Sequence, residues 1–348
     1  MNKKHLSLAL AAALGAGLST SAFAYGVGNF FGPVPKPIQQ AMSGISIGAG
    51  QFHQNYAEHA TSGSGLPNPL DTQTGNITAF HLGYSGMGSY FGYNVAYNAG
   101  AGDTTYNGYL QNTSTGKLTP SSSTTHSFSA DGHVAIRGGF SPIKDFAVIP
   151  NVFIGQHGWH RAIQGIGGYT ENYYNQYYGV GLTLAGAVPQ PGIPLVLQVK
   201  YKAGHTSGAY MTSNISNDTA YLGSKPWTQY GVEVDYTPLS NLTVYLSYMH
   251  TKFQYGQSQV IQTSIGPAVE PNSTTKQNVT LVGIKYRFWP CAATGFFIGR
   301  WRLVGKKAFP CEASKSRYFE VALKFALFSK DWKKGSPRVG GDERESSG

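Results

Sequence analysis

Between about residue 44 and residue 288 the chain runs in short stretches where apolar and polar side chains alternate, and the last of these, Asn278 to Phe288 (NVTLVGIKYRF), is the clearest. Read two by two, Thr280, Val282, Ile284, Tyr286 and Phe288 share one face, while Val279, Leu281, Gly283, Lys285 and Arg287 share the other. An apolar face ending in aromatic rings, with the cations pointing the opposite way, suits a strand between lipid and a wet lumen. The same pattern predicts strands over 44–56, 76–85, 89–101, 126–140, 146–159, 175–187, 195–209, 227–237, 242–253 and 277–288. Their connections alternate strictly. Short, turn-like pieces carrying Gly, Pro, Asp and Asn (86–88, 141–145, 188–194, 238–241) are interleaved with long polar ones (57–75, 102–125, 160–174, 210–226, 254–276). This order predicts an all-β fold, a transmembrane antiparallel up-and-down β-barrel of about ten strands, with eight or twelve if an irregular segment is misread.

Faces follow from parity. The expected lipid side includes Phe128, Val134, Ile136 and Phe140; Tyr178, Val180, Leu182 and Leu184; Leu195, Leu197, Val199 and Tyr201; Tyr230, Val232, Val234 and Tyr236; and Leu242, Val244, Leu246 and Tyr248. No charge falls on these faces, where one costs a few kcal/mol near the midplane. Tyr93, Tyr97, Tyr177, Tyr178, Tyr230, Tyr236 and Tyr248 are expected in an aromatic girdle at headgroup level, and Tyr169, Tyr173 and Tyr174 join the cluster around Tyr177. A sugar-binding aromatic platform is the sharper alternative. The segment 146–159 is apolar on both faces and interrupted by Pro150, which suggests a bulge or an edge-like irregularity.

At its end, Gly283-x-x-Tyr286-x-Phe288 resembles the closing strand of bacterial outer-membrane β-barrels. The resemblance implies that Gly283, Tyr286 and Phe288 form the signal read by the barrel-assembly machinery. It extends over residues 25–288, and points to a barrel of the small, opacity-like or porin-like kind.

The ends of the chain differ from this body. Residues 1–24 combine Lys3 and Lys4, an apolar run from Leu6 to about Leu18 and the small-x-small ending Ala22-Phe23-Ala24, the order of a cleaved secretory signal peptide. Residues 25–43 are expected as an N-terminal periplasmic segment, 44–288 as the barrel, and 289–348 as an atypical basic extension, disordered or partly helical. That extension holds both cysteines, and is either an appendage with a Cys291–Cys311 disulfide or the product of a frameshift or lost stop codon. The formal charge of +10 is unevenly divided: residues 25–288 carry 12 basic and 10 acidic residues, and 289–348 carry 12 and 6. The body is therefore nearly neutral, which argues against a nucleic-acid partner.

Chemistry is expected inside the barrel. Lys200 and Lys202 face inward beside a strand with inward Glu233 and Asp235, and Asp131, His133, Arg137, Lys285 and Arg287 extend the network. Such a cluster is either a solute-selecting constriction or a packed plug, and ten strands leave little room for more than side chains. His205-Thr206-Ser207, with Asp218 beyond it, is slightly similar to the His, Ser and acid of lipid A deacylases, although Gly208 stands where that family has Asn. His157 and His160, three apart, point to opposite faces of a strand and make a poor metal pair. No cofactor, metal or catalytic motif is expected. The functional expectation is a structural and surface-interaction scaffold in the outer membrane, with lipopolysaccharide, membrane lipid, the assembly machinery and a surface ligand as partners. The alternatives are a narrow porin-like channel and, less favoured, a lipid A-modifying enzyme.

Overall fold

A computed structural model describes residues 31–288, apart from 61–64, 112–117, 166, 189–193, 217 and 265. The expected signal peptide, the start of the 25–43 segment and the 289–348 extension with both cysteines lie outside the described residues.

Ten long strands form one closed antiparallel barrel: β1 (Gly44–His59), β2 (Asp71–Met87), β3 (Phe91–Gln111), β4 (Leu118–Gly138), β5 (Phe146–Ile163), β6 (Thr170–Ala187), β7 (Leu195–Ser213), β9 (Pro226–Leu239), β10 (Leu242–Tyr255) and β13 (Asn272–Tyr286). The two-residue β8 (Ala220–Tyr221) adds to β7, and β11 (Val260–Thr263) pairs with β12 (Gly266–Val269) in a small separate hairpin. Closure is made by β1 against β13, in register from Ile45 opposite Tyr286 to His59 opposite Asn272. The chain therefore enters and leaves the barrel at the end that carries the short turns. At that entrance Gly44 has φ +131°, and a Cβ there would lie 2.7 Å from the Tyr286 carbonyl oxygen, so only glycine fits.

The alternation holds in space. Val282, Ile284, Leu246, Val180, Ile136 and Leu82 are exposed on the outer wall, while Leu281, Lys285, Tyr245 and Asp235 are buried inside. In β5 the doubled apolar character has a simple cause: Ala147, Ile149 and Phe153 pack inward, and Val152 and Ile154 face out. The expected bulge at Pro150 is absent. The β4–β5 ladder has a gap opposite Pro150, between the Arg137–Asn151 pair and the Phe140–Val148 bridge, but the register is the same on both sides of it. A missing N–H interrupts a ladder without inserting a residue. The bulges fall elsewhere, at Leu242/Val244 in the β9–β10 pairing and opposite Tyr174/Gln176 in the β6–β7 pairing. In the second, the extra residue belongs to β7, and Gly208 there takes φ +57°.

Most of the stretch expected as the 102–125 loop is ladder: β3 and β4 stay paired out to Gln111 opposite Leu118. Alternation vanishes there because both faces meet polar surroundings, yet Thr-rich backbone still favours strand pairing. The barrel wall thus rises well past its apolar belt.

Residues expected as a simple periplasmic segment form a plug. The short helix α1 (Lys36–Ala41) buries Ile38 and Ala41, three apart on one side, and the flanking Val34 and Met42 are buried with them. They pack against Met87, Ala147, Ile149, Ala185 and Val196 from the inner wall. Ser43 ties the plug to the wall, accepting a hydrogen bond from the Met87 N–H at 2.9 Å.

Candidate functional site: a filled lumen

Inward-facing side chains from opposite walls meet in three successive layers. The first lies directly above α1. In the β7–β9 ladder Gln198 stands opposite Glu233 and Val196 opposite Asp235, so these polar groups share one level. Lys200 Nζ donates to Glu233 at 2.7 Å, and the Gln198 amide donates to both Glu233 and Asp235. Lys285 comes from β13, passes over the Tyr245 ring of the intervening β10 at 5.1 Å, and reaches Glu233 and Asp235 at 2.6 Å each. Its third proton goes to the Ala41 carbonyl at 3.0 Å, at the end of α1. All three donors of one ammonium are used, two cations face two carboxylates, and wall and plug are joined by one side chain.

The second layer holds Asp131, His133, Arg137, Lys202, Tyr177 and Phe153. Tyr177 donates to Asp131 at 2.7 Å, and His133 Nδ1 lies 3.6 Å from the same carboxylate. Lys202 Nζ sits 3.3 Å from His133 Nε2 and 5.2 Å from the centre of the Phe153 ring. Here the girdle expectation is corrected. Tyr178 is 53% exposed on the outer wall but Tyr177 is 2% exposed, inside the barrel, stacked on Trp227 at 4.8 Å and 5°. Adjacent tyrosines on a strand take opposite faces, so both cannot join one girdle. Tyr173, of the same odd parity, is also inside, whereas Tyr93, Tyr97, Tyr230, Tyr236 and Tyr248 are exposed outside. Arg287 is a second correction: it lies past the end of β13 and donates to the Ser240 carbonyl in the β9–β10 turn, outside the lumen network.

The third layer closes the far end. Trp159 stacks on Tyr173 at 5.1 Å, Tyr56 tilts against Trp159 at 4.9 Å, and Phe153, Trp227, Phe253 and Tyr255 fill the space beneath. Arg161, 0% exposed, is set in this aromatic floor, 4.8 Å from the Tyr56 ring centre. It donates to Glu58 at 2.9 Å and to Glu171, lies 3.8 Å from Asp71, and also donates to the Tyr173 hydroxyl at 3.2 Å. The Tyr173 hydroxyl is also 2.6 Å from Glu270. Three carboxylates thus lie within ion-pair distance of one guanidinium, and a fourth, Glu270, joins through the Tyr173 hydroxyl. Burial pushes the carboxyls of Asp71, Glu171 and Glu270 above the usual carboxylate range, and the neighbouring Glu58 adds to the rise. No sequence pattern singled out this layer, because its acids fall in stretches expected as loops. One signal was available: the inward parity of β5 runs unbroken from Ala147 through Trp159 to Arg161.

Other candidate groups remain apart. His205 and Ser207 lie on the outer side of β7, and His205 is exposed. Asp218 accepts a hydrogen bond from the Gln262 N–H at 2.8 Å, and among the described residues no hydrogen bond joins the three. His157 is buried beside Ser129 at 3.1 Å, and His160 faces out to Asn172 at 2.8 Å. Among the described residues no group of three or more His, Cys, Asp or Glu side chains is placed to hold a metal ion.

No protein-family model matches the sequence, and a search of curated proteins finds no match. Among solved structures, the outer membrane protease OmpT from Escherichia coli superposes with a TM-score of 0.53 at 11% identity, over 70% of this chain and 97% of that one. The transport unit of the autotransporter AIDA-I from Escherichia coli (11% identity, 70% and 90% covered) and the β domain of the Bordetella autotransporter BrkA (12%, 71% and 100%) each give a TM-score of 0.36 and carry no weight. The first likeness establishes the fold, an antiparallel barrel of the outer-membrane type.

Proposed function

We propose that this chain is an outer-membrane protein whose closed barrel serves as a scaffold. It holds the tall wall extensions and outer loops for contact with surfaces or partners, and does not conduct solutes through its bore. The observation that carries this reading is Arg161, fully buried across the bore among Trp159, Tyr56, Tyr173 and four carboxylates. A ten-stranded barrel leaves an interior only a little wider than side chains fill, and here buried side chains occupy it both around α1 and around Trp159 and Arg161. Export by residues 1–24 and folding through the Gly283, Tyr286 and Phe288 signal belong to the same proposal. The short-turn end faces the periplasm and the long hairpins face outward.

Planar-bilayer recording of the purified full-length protein tests it. The closed scaffold gives no reproducible conductance steps; stepwise currents in wild type favour the narrow porin-like channel. A lipid A-modifying activity abolished by Ser207→Ala favours the enzyme.

A further inference from the structure

On the outer wall, β10 and β13 carry matched apolar ladders: Leu242 opposite Tyr286, Val244 opposite Ile284 and Leu246 opposite Val282, then Tyr248 opposite Thr280 and His250 opposite Asn278. The next outward pair is Lys252 opposite Lys276. Both lysines are exposed, and like charges directly opposite on paired strands repel. Their neighbours in the same row are Thr228 on β9 and Asn55 on β1, which are neutral. Among the described residues no carboxylate comes within ion-pair distance of either ammonium. The one outward carboxylate on the described barrel strands, Asp103, is three strands away, about 14 Å, and is held by His126 at 2.5 Å.

The height of the pair is informative. Lys252 lies ten positions beyond Leu242, and Lys276 ten before Tyr286. Ten residues at ~3.3 Å each, tilted by about 40°, rise roughly 25 Å, the full height of the apolar band. The lysines therefore stand at the headgroup level of the leaflet on the long-hairpin side, with Tyr230 and Tyr248 as the aromatic rings just beneath them. Tyr248 and His250 both bond to the Asn278 side-chain oxygen, at 2.8 and 2.7 Å, leaving the Asn278 amide N–H groups free to face a ligand.

We propose that Lys252 and Lys276 form a binding site for a phosphorylated glycolipid headgroup of the outer leaflet, of the lipid A type, with Asn55 and Asn278 contacting its sugar. The inference rests on the outer-membrane placement above. Two ammonium groups carried by directly opposed residues match one phosphate, whose charge removes their repulsion. Flanking amides suit a phosphate attached to a sugar better than that of a plain phospholipid.

The test uses the full-length protein in phosphatidylcholine nanodiscs doped with bisphosphorylated lipid A, fully dephosphorylated lipid A or phosphatidylglycerol. Wild type binds the bisphosphorylated lipid roughly tenfold more tightly than does the Lys252→Gln/Lys276→Gln variant, the loss of about one charge-assisted contact. The Lys252→Arg/Lys276→Arg variant retains binding, and neither other lipid competes. In zwitterionic detergent alone, the Lys252→Gln/Lys276→Gln variant unfolds at a higher temperature than wild type because the repulsion is gone, which shows that the variant folds. Equal binding by wild type and the double glutamine variant, or equal binding of the dephosphorylated lipid, overturns the site. Equal competition by phosphatidylglycerol overturns the glycolipid assignment. A chain that stays monomeric in buffer without detergent removes the membrane reading instead, a result distinct from the others.

Discussion

Arg161 reaches across the barrel to Glu58: Nη2 lies 2.9 Å from Oε1, although 103 positions separate the two residues in the chain. Four ladders lie between β5 and β1, so the bond forms only when the wall has curved far enough to bring opposite sides together. It is therefore a mark of closure. Among the described residues the same guanidinium is also the only cation within ion-pair distance of Asp71 and Glu171, and Glu270 joins through the Tyr173 hydroxyl.

Removing that cation strands its partners. Arg161→Met is expected to destabilise the folded barrel by about 3–5 kcal/mol, the cost of leaving buried carboxylates uncompensated. Arg161→Lys keeps the charge but loses the planar fork whose Nε and Nη2 reach Glu171 on one side and Glu58 and Tyr173 on the other, so it should fall between wild type and Arg161→Met. Urea midpoints of the folded protein in detergent rank the three. Equal midpoints for Met and wild type would show that the cluster adds nothing to stability.

The same layer gives stability a pH dependence of definite sign. Burial, aided by Glu58, holds the carboxyls of Asp71, Glu171 and Glu270 above their ordinary values. A carboxyl whose folded pKa is raised binds its proton more tightly in the folded state. Its contribution is complete below the unfolded range, about pH 4, and drains away as pH climbs through the raised value. Comparison with Glu270→Gln isolates this contribution, since the amide has no proton to lose: the urea midpoint of wild type relative to the variant is expected to be higher at pH 5 than at pH 8. A difference that grows with pH contradicts the assignment.

How much of this was legible in the sequence varied with depth. Within the apolar belt, one face meets lipid and the other the lumen, so parity alone separated Lys200, Lys202, Glu233, Asp235 and Lys285 from their apolar neighbours, and all five lie inside. Past the belt both faces are polar, the two-residue rhythm fades, and Glu58, Asp71, Glu171 and Glu270 looked like loop. The plug helix was hidden differently: α1 is six residues long, preceded by Pro35 and containing Pro37, too short for a periodic signal though Val34, Ile38 and Ala41 carry the spacing. Clustered tyrosines suggest one girdle, yet strand parity sends Tyr177 inward. Arg287 lies beyond the end of β13, where strand parity no longer applies.

The opposite faces of Tyr177 and Tyr178 allow a paired test. Tyr177 is buried against Trp227 and donates to Asp131, while Tyr178 lies on the outer wall. Tyr177→Ala is expected to cost about 3–5 kcal/mol, the usual loss for a large aromatic ring in a packed core, with the lost hydrogen bond to buried Asp131 adding to it. Tyr178→Ala, whose ring meets detergent in both variant and wild type, should cost less than about 1 kcal/mol. Comparison of the two urea midpoints decides, and a larger effect at Tyr178 would reverse the inside and outside of β6.

The bore has two seals in series, and this makes its conductance a logical test. Near the turns, Ile38 is fully buried among Met87, Ala147, Ile149 and Val196, so Ile38→Asp places a charge in an apolar pocket and should expel α1. At the other end, Trp159 packs in the aromatic floor around Arg161, and Trp159→Ala removes most of its side-chain volume there. Either substitution alone leaves one seal intact and is expected to give no conductance steps in a planar bilayer. Combined, they open a continuous path past the Asp131 and Lys202 level, and steps should appear in the double variant. Steps from Ile38→Asp alone would mean that the Trp159 and Arg161 layer leaks; silence from the double variant would locate a third seal at Tyr177 and Phe153.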